Sequence, residues 1–230
     1  MWVDFHCHCL PGMDDGAKDT NTAVKIIQKL KQQGVGRIVA TPHFYLHTEE
    51  ISSFLQRREE AYQKLMETPE ASSFPAIVLG AEVSIEKDLA KQNISPLCTE
   101  GGTILLELPR APFKPWMIEE VENIAYGFSV TPILAHIDRY LTWYQKKDFE
   151  RVLSFEEAVF QVNIDAFLHF RSRHFLKRMA AHGRPMVLGS DAHDLTDRAP
   201  NFDRAKQYLQ DRHCKKEVLK AFQLAQDRGI

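Results

Sequence analysis

Long apolar runs are absent from this 230-residue sequence, and nothing in it approaches the ~20 consecutive apolar residues of a membrane span. The opening MWVDFHCHCLPGMDD holds three aspartates and two histidines and does not read as a secretory signal. A cytoplasmic location is the expectation. Excess charge of either sign is also missing, since 29 Lys and Arg stand against 31 Asp and Glu, for a formal net charge of −2. Bulk attraction to nucleic acid or to an anionic membrane is not expected, so any phosphate chemistry must be local. Cysteine is scarce: Cys7, Cys9, Cys98 and Cys214 form no Cys-x-x-Cys pair, which argues against a zinc knuckle or a disulfide framework. Six positions after each of them stand Met13, Asp15, Ile104 and Lys220, never the arginine of a cysteine-phosphatase loop. All four default to packing residues. No Gly/Ser linker, low-complexity tract or composition break divides the chain, so residues 1–230 read as one domain with ample apolar content for a core.

Seven short β-rich runs are present, at Trp2–Phe5, Arg37–Thr41, Ala76–Ala81, Thr103–Leu106, Thr131–Ala135, Ala158–Val162 and Pro185–Gly189. Helical spacing fills the gaps. Ala23, Ile26, Ile27 and Leu30 recur at i, i+3, i+4, i+7, with Thr20 or Thr22 as the expected N-cap and Gly34 as the stop. Ile51, Phe54, Leu55, Tyr62 and Leu65 make a second stripe, and Met117, Val121, Ile124 and Ala125 a third. Phe175, Leu176 and Met179, then Val218, Leu219, Phe222 and Ala225, mark the last helices. Alternating strands and helices call for parallel pairing, and seven such units suit a closed or nearly closed β/α barrel. An open doubly wound sheet is the alternative.

Polar residues gather at the strand ends. The first strand runs into His6-Cys7-His8, whose two imidazoles project on one side because side chains alternate along a strand. The second ends in Ala-Thr-Pro-His43, the third in Gly-Ala-Glu82, the fourth in Leu-Leu-Glu107, the fifth in Leu-Ala-His136 and the seventh in Gly-Ser-Asp191-Ala-His193. In a β/α barrel these ends converge on the face where active sites lie. Asp15, on the loop after strand one, is a ninth donor. A lone strand-end His or Glu is ordinarily a satisfied polar group, but four carboxylates and five imidazoles facing one another without a cation would carry a severe desolvation and repulsion cost. One ion takes four to six ligands, so nine donors point to two or three divalent ions sharing carboxylates. Imidazole with carboxylate and no thiolate favours zinc, manganese or iron.

The runs DFHCHCLPGMDDGA, VATPHF, GAEV, LLELP, LAHIDRY and GSDAHDLTDRAP resemble the polymerase and histidinol phosphatase (PHP) superfamily. Within it, the Asp-Asp-Gly, the His-x-x-Arg-Tyr and the Ser-Asp-Ala-His followed by Asp-Arg-Ala-Pro are similar to the bacterial tyrosine-protein phosphatases of capsule and exopolysaccharide operons. The resemblance covers essentially the whole chain. It implies a distorted seven-unit β/α barrel, three ions, commonly manganese, and a phosphotyrosine substrate. Carried over, the ligands are His6, His8, Asp15, His43, Glu82, Glu107, His136, Asp191 and His193, and the phosphate-gripping arginines are Arg139 and Arg198. Arg139, Arg198, Asp191 and His193 are the expected catalytic group. The implied partner is the tyrosine-rich tail of a membrane-associated bacterial tyrosine autokinase. Three departures stand out: Ile137-Asp138 in place of Pro-Glu, Asp194 in place of Asn, and Ile164-Asp165-Ala166-Phe167 in place of small residues, the last expected to alter the pocket wall.

Four carboxylates against three divalent ions leave a net positive mouth, which suits a phosphate monoester dianion held by planar arginine forks. Attack on phosphorus by a metal-activated water, with no phosphoenzyme, is the expected chemistry. Phe44, Tyr45, Phe113, Trp116 and Tyr140 are candidates to flank a phenyl ring, although each alone defaults to loop packing. Alternatives are a histidinol-phosphate type phosphatase, a nuclease-like phosphoesterase using Arg110, Lys114, Arg171 and Arg173 beside the two arginines, and a metal-stabilised binding protein. An amidohydrolase would end its fourth strand in a modified lysine, where this chain has Glu107. His47, His169, His174, His182 and His213 are assigned no role.

Overall fold

The computed structural model describes residues 1–210, 215–227 and 230, so Cys214 and His213 lie outside the described residues. All seven expected strands form: β1 (Trp2–Cys7), β2 (Val35–Ala40), β4 (Ala76–Leu79), β6 (Thr103–Glu107), β7 (Thr131–Leu134), β8 (Val159–Asn163) and β9 (Met186–Gly189). Two more were not expected. β3 (His43–Phe44) follows β2 after Thr41-Pro42, and β5 (Glu82–Ser84) follows β4 after Gly80-Ala81. Pro42 has no N–H to give to the ladder, so the second run is cut where the sequence suggests one strand.

Every pairing is parallel, and the ladders fall into two sheets, β1-β2-β4 and β3-β5-β6-β7-β8-β9. Backbone bonds join them at both edges. Thr41 N–H donates to the Cys7 carbonyl (2.9 Å), Gly80 N–H to Ala40 (2.9 Å) and Glu82 N–H to Pro42 (3.0 Å). On the other side Asp191 N–H donates to the His6 carbonyl (2.7 Å) and His8 N–H to Ala192 (3.0 Å), with a parallel bridge between Cys7 and Ala192.

The helices are α1 (Thr20–Gln32), α2 (Ile51–Met66), α3 (Trp116–Phe128), α4 (Tyr140–Trp143), α5 (Lys146–Ser154), α6 (Phe170–Ala181), α7 (Phe202–Gln210) and α8 (Lys215–Asp227). The cap of α1 is Asp19, whose carboxylate accepts from Thr22 N–H at 2.7 Å, rather than Thr20 or Thr22; an acid also suits the positive end of the helix dipole. Gly34 does end it, at φ +88°. The third unit has no α-helix. Residues 85–102 cross in two single 3-10 turns that bury Leu89 and Leu97, because Pro96 and the Gly101-Gly102 pair leave no room for a helical stripe.

Strands β8 and β9 are buried on both faces along their whole length and β6 over its first four residues, as central strands of a parallel sheet are. Ile104 and Leu106 join the large core under the helices, while Leu105, Ile133, Val159 and Val187 gather on the opposite face with Phe5. Among the described residues no helix is long and apolar enough to cross a membrane.

Candidate metal centre

The strand ends bring all nine predicted donors together. Glu82 stands in the middle. Its Oε2 lies 3.0 Å from His6 Nε2 and 3.2 Å from both His8 Nε2 and His43 Nδ1, and its Oε1 lies 3.0 Å from His136 Nε2. Glu107 approaches His136 Nε2 at 3.4 Å. Asp191 Oδ1 lies 3.5 Å from His6 Nε2 and 3.6 Å from both His8 Nε2 and His193 Nδ1. Asp15, 65% exposed, closes the rim at 3.3 Å from His193 Nε2 and 3.6 Å from His43 Nε2. Three groups each place one ligand atom per residue within 4.8 Å of the others: His8, Asp15, His43 and His193; His6, His8 and Glu82; His43, Glu82 and Glu107. His8, His43 and Glu82 are shared between groups, so the three form one continuous cluster. His136 and Asp191 lie against these groups without belonging to them.

The donor set fits divalent cations. It mixes imidazole with carboxylate and has no thiolate, and His6 Nε2 faces His8 Nε2 at 3.0 Å. His43 Nδ1 and His193 Nε2 are buried and near carboxylate oxygens, yet make no hydrogen bond among the described residues, and His136 Nδ1 is likewise unpaired among them. Buried ring nitrogens without partners are costly unless something else takes their lone pairs.

Side chains outside the nine aim the donors, and sequence reasoning missed them. Asp14 accepts from His8 Nδ1–H (2.7 Å), Gly16 N–H (2.9 Å) and His43 N–H (2.8 Å). Gln161 Oε1 accepts the backbone N–H of His136 (2.5 Å), which fixes the orientation of its amide. His6 Nδ1, 3.0 Å from the same oxygen, must then carry the proton, leaving Nε2 free to face Glu82. Gln161 Nε2 donates to Asn163 Oδ1 (2.9 Å), and Asn163 Nδ2 donates to Asp191 Oδ2 (3.2 Å). Two polar residues at i, i+2 in the otherwise apolar run Val-Phe-Gln-Val-Asn were the available signal, as was the first aspartate of Asp14-Asp15-Gly16.

Local backbone is shaped to this end. His136 (φ 31°) and Asp191 (φ 53°) adopt left-handed conformations that cost a non-glycine residue about 1–2 kcal/mol, each where its strand ends and its side chain turns into the site. Gly189 is a matter of space: a Cβ there would stand 2.5 Å from Gln161 Nε2 and 2.6 Å from His6 Cβ.

The electrostatics follow from packing. Burial pulls the His8 pKa down, but hydrogen bonds to Asp14 and Glu82 outweigh it and hold the value at about 10. His136 is likewise raised to about 9 by Glu107 and Glu82 against burial. Burial and the neighbouring His8 push His193 down to about 4. Burial would raise Glu82 and Asp191, yet the surrounding histidines, with Arg139 for Asp191, hold both well below the usual carboxylate range.

A cavity of about 300 Å³ opens above the cluster, lined by His43, Tyr45, Glu82, Glu107, Arg110, His136, Arg139, Trp143 and Arg198. Arg139 pairs with Asp191 Oδ2, and Arg198 with Asp191 Oδ1 (2.7 Å) and Asp15 Oδ2 (3.6 Å). Of the five expected aromatics only Tyr45 lines this cavity, and Trp143, not anticipated, stands with it. Phe44 and Tyr140 are core residues, the first against Phe54 and the second with its hydroxyl bonded to Leu108. The Ile164–Phe167 segment does not alter the pocket wall: Ile164, Ala166 and Phe167 are buried, with Phe167 against Tyr208, and Asp165 turns out to Asn201 and Arg204. Nor does the wider basic track form, since Arg171 donates to the Leu141 carbonyl, Arg173 covers Tyr208, and Lys114 does not line the cavity.

Parallel sheets whose strands end in a shared imidazole and carboxylate cluster define an α/β protein with groups that could hold a metal ion. The chain belongs to the CpsB/CapC family of capsular polysaccharide synthesis, whose model matches residues 2–226. It is 27% identical to the tyrosine-protein phosphatase CpsB of Streptococcus pneumoniae, over 96% of this chain and 94% of that one. Its fold is similar to a solved chain described with YwqE of Bacillus subtilis and CpsB of Streptococcus pneumoniae as metal-dependent tyrosine phosphatases (TM-score 0.75, 20% identity, 99% and 92% of the two chains). The fold also extends to histidinol phosphate phosphatase of Lactococcus lactis, solved with zinc, L-histidinol and phosphate (TM-score 0.58, 12% identity, 96% and 94%).

Proposed function

We propose that the chain is a metal-dependent protein-tyrosine phosphatase, and the observation that carries this reading is the nine-donor cluster beneath a mouth lined by Arg139 and Arg198. The near full-length likeness to CpsB supports phosphotyrosine as the substrate. His6, His8, Asp15, His43, Glu82, Glu107, His136, Asp191 and His193 would hold two or three divalent ions, with manganese our first choice and iron or zinc compatible with the same donors. Bound there, the ions supply Lewis acidity and a water of lowered pKa.

The protein's own residues do the rest. Glu82 and Asp191 remain ionised despite burial and can bridge cations. Arg139 and Arg198 stand at the phosphate's edge of the cluster, and their planar forks can move from Asp191 to the phosphoryl oxygens, where charge accumulates during transfer. Tyr45 stays neutral, its pKa raised to about 12 by burial and the nearby carboxylates, and offers its ring to a phenyl ester. Asp191, to which both arginines bond, and His193 beside it complete the catalytic group we assign.

We read the two sheets as one distorted seven-unit barrel forming a single domain over residues 1–230. The bonds from Thr41 to Cys7 and from Asp191 to His6, one at each edge of β1, support it. The balanced charge supports a protein partner rather than nucleic acid, for which we choose the phosphorylated tail of a bacterial tyrosine autokinase, met in the cytoplasm. A small-molecule phosphatase is the second reading, favoured by the modest cavity of about 300 Å³. One assay tests both: turnover of phosphotyrosine peptide, phosphoserine peptide and histidinol phosphate with manganese, iron or zinc added. Preference for phosphotyrosine is expected. Preference for histidinol phosphate would install the second reading, and full metal loading without turnover of any ester would leave a binding protein.

A further inference from the structure

Three arginines line the mouth, and they are not equivalent. Arg139 and Arg198 are both bonded to Asp191 at the cluster. Arg110 is exposed and forms no ion pair among the described residues; its guanidinium carbon sits 4.7 Å from the centroid of the Trp143 ring.

That perch is built. Trp143 packs edge-on against Tyr140 (5.3 Å, 89°) and against His136 (6.3 Å, 70°). Tyr140 is buried, and its hydroxyl both donates to the Leu108 carbonyl (3.1 Å) and accepts from Leu108 N–H (2.9 Å). Leu108 lies two residues before Arg110, so the arginine's backbone and the indole beneath its side chain are tied to the same tyrosine. A planar fork stacked on a fixed ring loses little freedom when it meets a second planar or tetrahedral anion.

We propose that Arg110 on Trp143 is a second anion subsite, which takes a carboxylate or phosphate carried by a residue flanking the phosphotyrosine. This deepens the phosphotyrosine reading and rests on it. The reacting phosphoryl group belongs with the donor cluster and the two arginines on Asp191. The indole that touches His136 on the inside supports Arg110 on the water-facing side. A phosphotyrosine seated in the cavity leaves its neighbouring residues crossing the rim, where Arg110 waits. Neutral neighbours leave that cation as it was, whereas anionic ones gain a charge-assisted bond without stripping Arg110 from another partner.

The test uses the metal-loaded full chain and three phosphotyrosine peptides of equal length, with alanine, aspartate or a second phosphotyrosine beside the reacting residue. The expected result for the unmodified chain is a KM about three- to tenfold lower for an anionic peptide than for the alanine peptide, with kcat within about twofold. Whichever anionic peptide gains identifies the source. In Arg110→Gln the KM values converge, Arg110→Lys keeps part of the difference, and raising salt shrinks it. Equal KM values in the unmodified chain, or a preference that survives Arg110→Gln, overturns the subsite. Turnover of p-nitrophenyl phosphate separates the two failures: turnover without flank preference removes only this subsite, and no turnover of any aryl phosphate removes the phosphatase reading and the subsite with it.

Discussion

At the scale of single residues, the donors were legible and their supports were not. His-x-His, the strand-end glutamates and Asp-x-His announce chelation because each sits where a strand must stop, and spacing alone places His6 and His8 on one side. Gln161, Asn163 and Asp14 announce nothing of the kind, since an amide or an acid inside a strand or loop acquires a role only from what faces it. If Gln161 fixes His6 as argued, Gln161→Met leaves the His6 Nδ1–H and the His136 amide without an acceptor. Metal affinity should fall about 10- to 100-fold with the fold retained, as measured by chelator competition; unchanged affinity would strip Gln161 of this role. The arginines give a contrasting outcome. Arg139→Ala or Arg198→Ala should lower kcat on an aryl phosphate by about 10²- to 10³-fold while metal content, read by elemental analysis, stays full. Metal loss in either variant would make that arginine a structural counter-ion of Asp191 instead.

At the scale of elements, periodicity found each expected strand and helix but not their interruptions. Pro42 and the Gly80-Ala81 step split two strands, and the third crossover abandoned the α-helix, because one missing N–H or a pair of glycines outweighs a weak apolar pattern. Strand β9 carries the sharpest constraint. Gly189 is opposite Asn163 in the β8–β9 register, and the space above it is filled by Gln161 and His6 from the strands on either side. Gly189→Ala should therefore destabilise the chain by about 1–3 kcal/mol, visible as a lower melting temperature, and should weaken metal binding as His6 is displaced. A variant that melts like the unmodified chain would mean that β8 and β9 can part at little cost.

For the whole molecule, folding and metal binding are coupled through protons. His8 and His136 have pKa values raised from 6.5 to about 10 and about 9, so each stabilises the metal-free fold fully below pH 6.5 and loses that contribution as pH rises through its folded value. Metal-free protein should thus lose stability progressively from about pH 6.5 to about pH 10, whereas the loaded protein, whose imidazoles are neutral ligands, should not follow it. Loading at pH 7.5 should release protons, seen as a buffer-dependent heat in titration calorimetry. Proton-free loading would place the ions on other groups. The amino-acid sequence by itself determined the alternating β/α order and the placing of nine imidazole and carboxylate side chains at or beside the strand ends, because each is encoded in spacing along the chain. Only the tertiary structure decided that Glu82 is the hub, that Asp191 answers two arginines, and that Trp143 rather than Phe44 or Tyr140 walls the mouth. Those relations join residues dozens of positions apart, and their distances are set by how the strand ends converge in space.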